Sequence, residues 1–91
     1  MLIVTTYRVK PYISKEETTE LMAVFAEQGA VPGKIAHYVH TDGGGGVVIT
    51  EADDILPGYR NNLKYAEWLE YASKIVVGVD DAVGPILESL A

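Results

Sequence analysis

The sequence predicts a single α+β domain with the element order β-α-β-β-α-β and a short helix at the C-terminal end. Four segments are rich in β-branched and aromatic residues, which is typical of strands. Two longer segments place apolar residues at helical spacing, and a run of four glycines joins the second and third strands. The chain has 91 residues, the size of one domain, so we expect residues 1–91 to fold as one unit.

The first strand is predicted over residues 2–9, because this segment consists largely of types that pack well on a pleated surface. The first helix is predicted over residues 14–28. Ser14 and Glu17 form a capping box, in which each side chain accepts from the other residue's backbone N–H. Gly29 suits the position that follows the last helical turn.

The second and third strands are predicted over residues 34–41 and 47–51, with a hairpin loop at residues 42–46. The glycines of this loop supply the positive φ angles that hairpin turns demand. A phosphate-binding loop is the weaker interpretation, since such a loop follows a strand and opens a helix, whereas these glycines join two strands.

The segment 55–72 is predicted to be helical. Its first half and its second half both keep helical spacing, but their apolar residues follow different phases. One helix and two helical pieces joined by a bend therefore both stay open. Either Asp53 or Asp54 is expected to be the N-cap.

The fourth strand is predicted over residues 74–79, which are rich in valine and isoleucine. Asp80 and Asp81 are expected to cap a last short helix. Because Pro85 lacks a backbone N–H, we expect the regular part of that helix to begin near Pro85.

This order of elements is that of the ferredoxin-like fold, a four-stranded antiparallel sheet with both helices on one face. The strands carry apolar residues on both faces; strand one has Leu2 and Val4 on one face and Ile3 and Val9 on the other. A sheet with one solvated face alternates apolar with polar residues. The second face must therefore be covered, and a second copy of the same sheet is the simplest cover, which predicts a two-fold homodimer.

Composition excludes several classes of function. Lys and Arg number 7 against 13 Asp and Glu, a net charge of −6, which argues against binding nucleic acid. No apolar run approaches the roughly 20 residues that span a bilayer, and the first residues lack the pattern of a signal peptide, so we expect a cytoplasmic location without membrane partners. Cysteine is absent, which excludes disulfides and zinc–thiolate sites.

The strand–hairpin–strand segment resembles that of an uncharacterised family, described only as a domain of unknown function, in the dimeric α+β barrel superfamily. The resemblance rests on residues 35–38, residues 42 and 43, Gly46, residues 51–54 and Trp68. The chain departs from the family pattern in a longer spacing from Asp54 to Trp68 and in the pair Leu69-Glu70, which replaces a polar pair.

The resemblance implies a dimeric α+β barrel but no specific activity, because the family itself has none established. The wider superfamily includes cofactor-free monooxygenases, polyketide cyclases, haem-degrading enzymes and stress-response proteins, with pockets between sheet and helices. We therefore expect a small organic ligand in that space and, for an enzyme, proton transfer on a carbonyl compound without a cofactor. The alternative is a non-catalytic dimeric module whose pocket is filled by its own side chains.

Tyr38, His40 and Asp42 are the candidate catalytic residues. Tyr38 and His40 share a face with the small residue Ala36, a combination that suits a pocket wall. If the strand extends to Asp42, this carboxylate orients His40 as a base. The alternative is a solvated histidine beside a turn aspartate, with Tyr38 packed on a helix and its hydroxyl in water.

Tyr7, His37 and Trp68 are the candidate ligand-binding residues. Tyr7 and Trp68 are large side chains with a polar group, and core packing is the alternative for both. The alternative for His37 is a hydrogen-bonded histidine at a sheet edge or dimer surface.

His37 and His40 lie three residues apart in a strand and point to opposite faces, so they cannot bind one metal together, and we expect no metal site. Nothing in the spacing selects a haem ligand.

Overall fold

A computed structural model describes residues 1–91, and its elements follow the predicted order β-α-β-β-α-β with a helix after the last strand. The α+β class is therefore confirmed. None of the helices is long and apolar enough to cross a membrane. The elements are β1 (Leu2–Val9), α1 (Lys15–Gln28), β2 (Lys34–Val39), β3 (Gly45–Glu51), α2 (Leu56–Leu63), β4 (Leu69–Val76) and α3 (Val79–Ser89).

The four strands form one antiparallel sheet in the order β2-β3-β1-β4, which is the ferredoxin-like arrangement. β1 lies in the centre and pairs along its length with both neighbours, so that Leu2 lies opposite Glu51 on one side and Val76 on the other. Phe25 of α1 contacts the ring of His37, which identifies the side of the sheet that faces the helices.

The other side of the sheet, called here the helix-free face, is mostly apolar, with Thr6 of β1 as a polar residue near its centre. Residues that lie directly opposite each other on neighbouring strands share a face, so the register assigns the side chains. Arg8, Glu70 and Lys74 lie towards its borders. Its apolar members are Leu2, Val4, Ala36, Tyr38, Val47, Ile49, Ala72 and Val76.

The predicted helix over residues 55–72 is wrong beyond Leu63, and the predicted strand over residues 74–79 is displaced. A turn follows α2, and β4 covers Leu69–Val76. The physical reason is pairing, because β1 offers eight ladder positions and β4 fills all eight, from Leu69 opposite Val9 onwards. This pairing outweighs the helical spacing of the same residues.

The predicted cap of α2 is wrong by at least one position. The N-cap is Ile55, which makes no side-chain cap bond. Asp54 lies just before it, and its Oδ1 accepts from the backbone N–H of Leu56 at 3.0 Å. The carboxylate therefore satisfies a free N–H of the first turn from outside the helix.

The hairpin loop lies at residues 40–44 instead of 42–46, two residues earlier than predicted. β2 ends at Val39, because the backbone N–H of His40 donates to Gly45 and its carbonyl accepts from Gly43. Gly45 and Gly46 belong to β3 instead of the loop. A Cβ at Gly45 would overlap the carbonyl of Tyr7, so only glycine allows β1 to approach this closely.

The last helix begins earlier than predicted and continues through Pro85. α3 starts at Val79 after the N-cap Gly78, with Asp80 and Asp81 in its first turn instead of at the cap. Pro85 removes the hydrogen bond to the carbonyl of Asp81. Both residues are exposed, so water can satisfy that carbonyl, which explains why the helix tolerates a proline.

The isolated chain leaves much of its apolar surface uncovered. Only six residues are buried, and none of them belongs to a helix. The accessible surface is 6744 Å², whereas a compact chain of 9.9 kDa has about 5,200 Å². The radius of gyration is 16.0 Å, against about 12 Å for a compact chain of this length. The monomer is therefore extended, with a thin core.

Candidate functional site

Tyr7 of β1 and His37 of β2 form a hydrogen bond across the strand between them. The Tyr7 Oη and His37 Nε2 atoms are 2.7 Å apart. Gly46 of β3 pairs with Tyr7 and has no side chain, so the Tyr7 ring can cross β3. A Cβ at Gly46 would lie 2.5 Å from Tyr7 Oη and 2.7 Å from Cζ, which places the ring directly over this glycine.

Two further aromatic rings extend the pair into an aromatic cluster that consists of Tyr7, Phe25, His37 and Tyr71. Phe25 of α1 lies edge-on to His37, with ring centroids 6.2 Å apart. Tyr71 of β4 lies beside Tyr7 at 5.9 Å. The cluster therefore spans from β2 to β4 beneath α1, on the side of the sheet that faces the helices.

The environment keeps the hydrogen-bonded pair uncharged near neutral pH. Burial lowers the pKa of His37, and the positive charge of Lys34 lowers it further. Burial raises the pKa of the Tyr7 hydroxyl. Burial also raises the pKa of Tyr71, with additional contributions from Tyr65 and Tyr7. A neutral imidazole and a neutral phenol can each donate or accept one hydrogen bond to a ligand.

An open cavity of about 310 Å³ lies on the same side of the sheet, beside the start of α2. Ile3 and Thr50 form its floor and lie opposite each other on β1 and β3. The next pair along these strands on the same face is Thr5 and Val48, and Val48 in turn lies opposite His37. The floor of the cavity at Thr50 is therefore two residues along β3 from Val48, the residue opposite His37, a distance of about 7 Å.

Carboxylates border this cavity. Glu51, Asp53 and Asp54 line it together with backbone and apolar groups. Glu51 is paired with the N-terminal ammonium of Met1 at 2.9 Å, and Asp54 accepts from the start of α2. No group of three or more His, Asp or Glu side chains is arranged to hold a metal ion.

Trp68 does not join the aromatic cluster by any ring contact. It lies in the turn between α2 and β4 and is buried, with its Nε1–H lacking a hydrogen-bond partner. It lines a separate, smaller depression of about 140 Å³, together with Val9 and Leu69. Its predicted role in ligand binding stays a prediction.

Tyr38, His40 and Asp42 are placed apart from the sheet–helix space. Tyr38 lies on the helix-free face and is 64% exposed. His40 is exposed just beyond the end of β2, and Asp42 Oδ1 accepts from the backbone N–H of Gly44 at 2.8 Å. No hydrogen bond joins the three side chains, and their catalytic role stays a prediction.

The structure brings together two of the three predicted ligand-binding residues, Tyr7 and His37, and adds Phe25 and Tyr71. The signal that could have found the pair is Gly46, because the ferredoxin-like order places β3 between β1 and β2 and a glycine there leaves room for a crossing ring.

No protein-family model matches the chain, and no curated protein matches it. The function is therefore argued from the geometry alone.

Proposed function

We propose that this protein is a homodimer that binds a small organic molecule between its sheet and its helices, with Tyr7 and His37 as the polar contacts. The observation that carries this proposal is their 2.7 Å hydrogen bond, which lies among aromatic rings on the helix side of the sheet. Ligand sites are mostly apolar and contain a few polar groups that fix orientation, as this cluster does. The adjacent cavity of about 310 Å³ reaches the lower end of the size range of such sites.

The pair is suited to a carbonyl compound. A ligand that enters the cluster accepts a hydrogen bond at its carbonyl oxygen from the Tyr7 hydroxyl. Because the Tyr7 proton then points to the ligand, His37 Nε2–H donates to Tyr7 Oη, and as a catalyst the neutral His37 takes a proton through Nδ1 from the carbon next to that carbonyl. The C–H electron pair moves into the enolate, whose oxygen Tyr7 stabilises, and the proton returns from His37 to product.

The charge of the surroundings limits the ligand class. The carboxylates of Glu51, Asp53 and Asp54 line the cavity, and the whole chain carries a net charge of −6. An anionic ligand would meet charge of its own sign on approach. We therefore propose an uncharged or cationic ligand.

The helix-free face accounts for the homodimer. It is mostly apolar and includes Leu2, Val4, Val47 and Ile49, none of which is buried by the chain itself. A second copy offers the same apolar face, which a two-fold axis can bring into contact. The pairing would produce a dimeric α+β barrel, in line with the resemblance in the hairpin.

A non-catalytic dimeric module is the second candidate, and one observation favours it. Tyr7 Oη and His37 Nε2 are already hydrogen-bonded to each other, and the Tyr7 ring occupies the space above Gly46. In this alternative the cluster is a polar part of the core that fixes the packing between β1 and β2. The ligand experiment distinguishes the two.

Binding is tested with uncharged aromatic carbonyl compounds, starting with acetophenone and benzamide, by NMR titration of the wild-type protein. We expect the largest shift changes at Tyr7, His37 and Phe25. Tyr7→Phe should weaken binding about fivefold to tenfold, because a hydrogen bond contributes about 1 kcal/mol. Tyr59→Phe, which alters an exposed tyrosine of α2, is the matched control and should bind like the wild type. Shifts confined to other parts of the surface, or no shifts with any probe, would favour the non-catalytic module.

A further inference from the structure

α3 carries an apolar stripe with no cover in its own chain. The large apolar side chains of α3 and of its C-cap Leu90 fall within an arc of about 100° around the helix axis, which is the width of a face that packs against another element. Asp81 and Glu88 lie on the opposite side. The members of the stripe are Val79, Val83, Ile86, Leu87 and Leu90, which are between 44% and 76% exposed.

The helix stands away from the rest of the chain. None of its residues is buried, and only Ala82 is half-buried. The long axis of the molecule is 56 Å, while an eight-residue strand is about 26 Å long. α3 is about 16 Å long, and no other element of the chain covers it enough to bury any of its residues. Only Val77 and Gly78 connect it to β4.

We propose that α3 is an arm that packs its stripe on a second copy of the chain, in a reciprocal exchange across the dimer axis. This proposal rests on the homodimer proposed above and identifies a second part of its interface. Two arms related by a two-fold axis would each cover the partner, which is a common route to stable dimers.

The surface area that a stable dimer buries supports a second copy of the chain as the partner of the α3 stripe. A standard interface takes about 800 Å² from each partner. The chain exposes about 1,500 Å² more than a compact chain of its mass, which is enough for an interface of that size. Among the helices, α3 has the most exposed large apolar side chains, four within the helix against two in α1 and three in α2.

Other helices of the same chain already lie on one face of the sheet. α1 and α2 occupy the helix side, where Phe25 and Ile55 mark their positions. The helix-free face is the side that a second sheet would cover. A stripe that packs neither on the helix side nor on the helix-free face of its own chain is left with the partner.

The first experiment measures the dimer dissociation constant of Ile86→Asp by sedimentation equilibrium. Ile86 belongs to the stripe and lies near the middle of its length along the helix axis, and we expect its replacement to weaken the dimer at least about tenfold, because a charge would be buried in the interface. Gly84→Asp is the matched control, since it adds the same charge to α3 outside the stripe, at a position with open space around it. The control should dimerise like the wild type.

The second experiment keeps the proposal testable even if the variant does not fold. Hydrogen exchange of the wild-type protein is followed at concentrations above and below the dimer dissociation constant. We expect the amides of α3 to be protected in the dimer and to lose that protection on dilution. Protection of the α3 amides that does not depend on concentration would mean that α3 packs on its own chain, which would overturn the proposal. A dimer in which the α3 amides are unprotected would overturn it as well.

The outcomes separate the arm from the homodimer on which it rests. A wild-type protein that stays monomeric overturns both. A wild-type dimer whose dissociation constant is equally affected by Ile86→Asp and Gly84→Asp overturns the arm and leaves the homodimer standing.

Discussion

Gly46 is the residue on which the Tyr7–His37 bond depends. A methyl group at this position would lie 2.5 Å from both Tyr7 Oη and the carbonyl of Tyr38, so the ring and the strand must both shift. We expect Gly46→Ala to lower the free energy of unfolding by about 1–3 kcal/mol, the usual cost of overpacking. Urea unfolding measures this loss. Gly58→Ala, where the added methyl meets open space in α2, is the control and should be neutral or stabilising.

His37 makes the stability of the fold depend on pH. Burial and the charge of Lys34 lower its pKa in the folded state, so the unfolded chain binds the proton more readily. Its contribution is therefore complete above about pH 6.5, where an unfolded histidine is neutral, and is lost as the pH falls towards the folded-state pKa. We expect urea midpoints of the wild type to fall between about pH 7.5 and pH 5.5.

His37→Gln is the variant that tests this assignment. This variant should remove most of the decrease in the urea midpoint that accompanies the fall in pH. His40→Gln, at an exposed position outside the cluster, should retain that decrease. An unchanged pH dependence in His37→Gln would contradict the assignment.

Among the elements, α1 is held at its start by local contacts. Ser14 Oγ accepts from the N–H of Glu17 at 3.0 Å, and the Glu17 carboxylate accepts from the N–H of Ser14. The same carboxylate pairs with Lys10, which holds the pKa of Glu17 below its usual range. Ser14→Ala should lower the free energy of unfolding by about 1 kcal/mol. Ser89→Ala, at the far end of α3, is the control, and equal losses in both would rule out a specific contribution of the cap.

Local signals explain which elements could be predicted from the sequence. The start of α1 and its end at Gln28 follow from Ser14, Glu17 and Gly29, because capping involves only neighbouring residues. β4 was misplaced because its first half, from Leu69, has helical spacing and becomes a strand only through pairing with β1. Register between distant strands is not contained in either segment alone.

The candidate site was predictable only in part for the same reason. Tyr7 and His37 were identified separately as ligand-binding candidates, but their contact requires the strand order and the exact partner of Gly46. Phe25 and Tyr71 were not identified, because nothing local distinguishes them from other core aromatics. Side chains that meet across three strands are visible only after the sheet has formed.

For the whole molecule, the helix-free face should decide the mass in solution. Val4 lies in its centre, and light scattering of the wild type should give twice the 9.9 kDa of one chain. Val4→Asp should give monomers or unfolded chains, because burying an unpaired charge costs several kcal/mol. Ala30→Asp adds the same charge to an exposed loop and should stay dimeric. A monomeric wild-type protein would contradict the prediction that a second copy covers the helix-free face.

The central place of β1 in the sheet determines when the sheet can form during synthesis. β1 is synthesised before either of its partners, β3 and β4, and Leu2 pairs with Val76, which is made much later. The loops that must close are long, so sheet formation is slower than the formation of α1. Until Leu69–Val76 leaves the ribosome, β1 keeps one edge without a partner. Such an edge can pair with other nascent chains, and ribosome-bound chains truncated before Leu69 should aggregate more readily than the full-length chain.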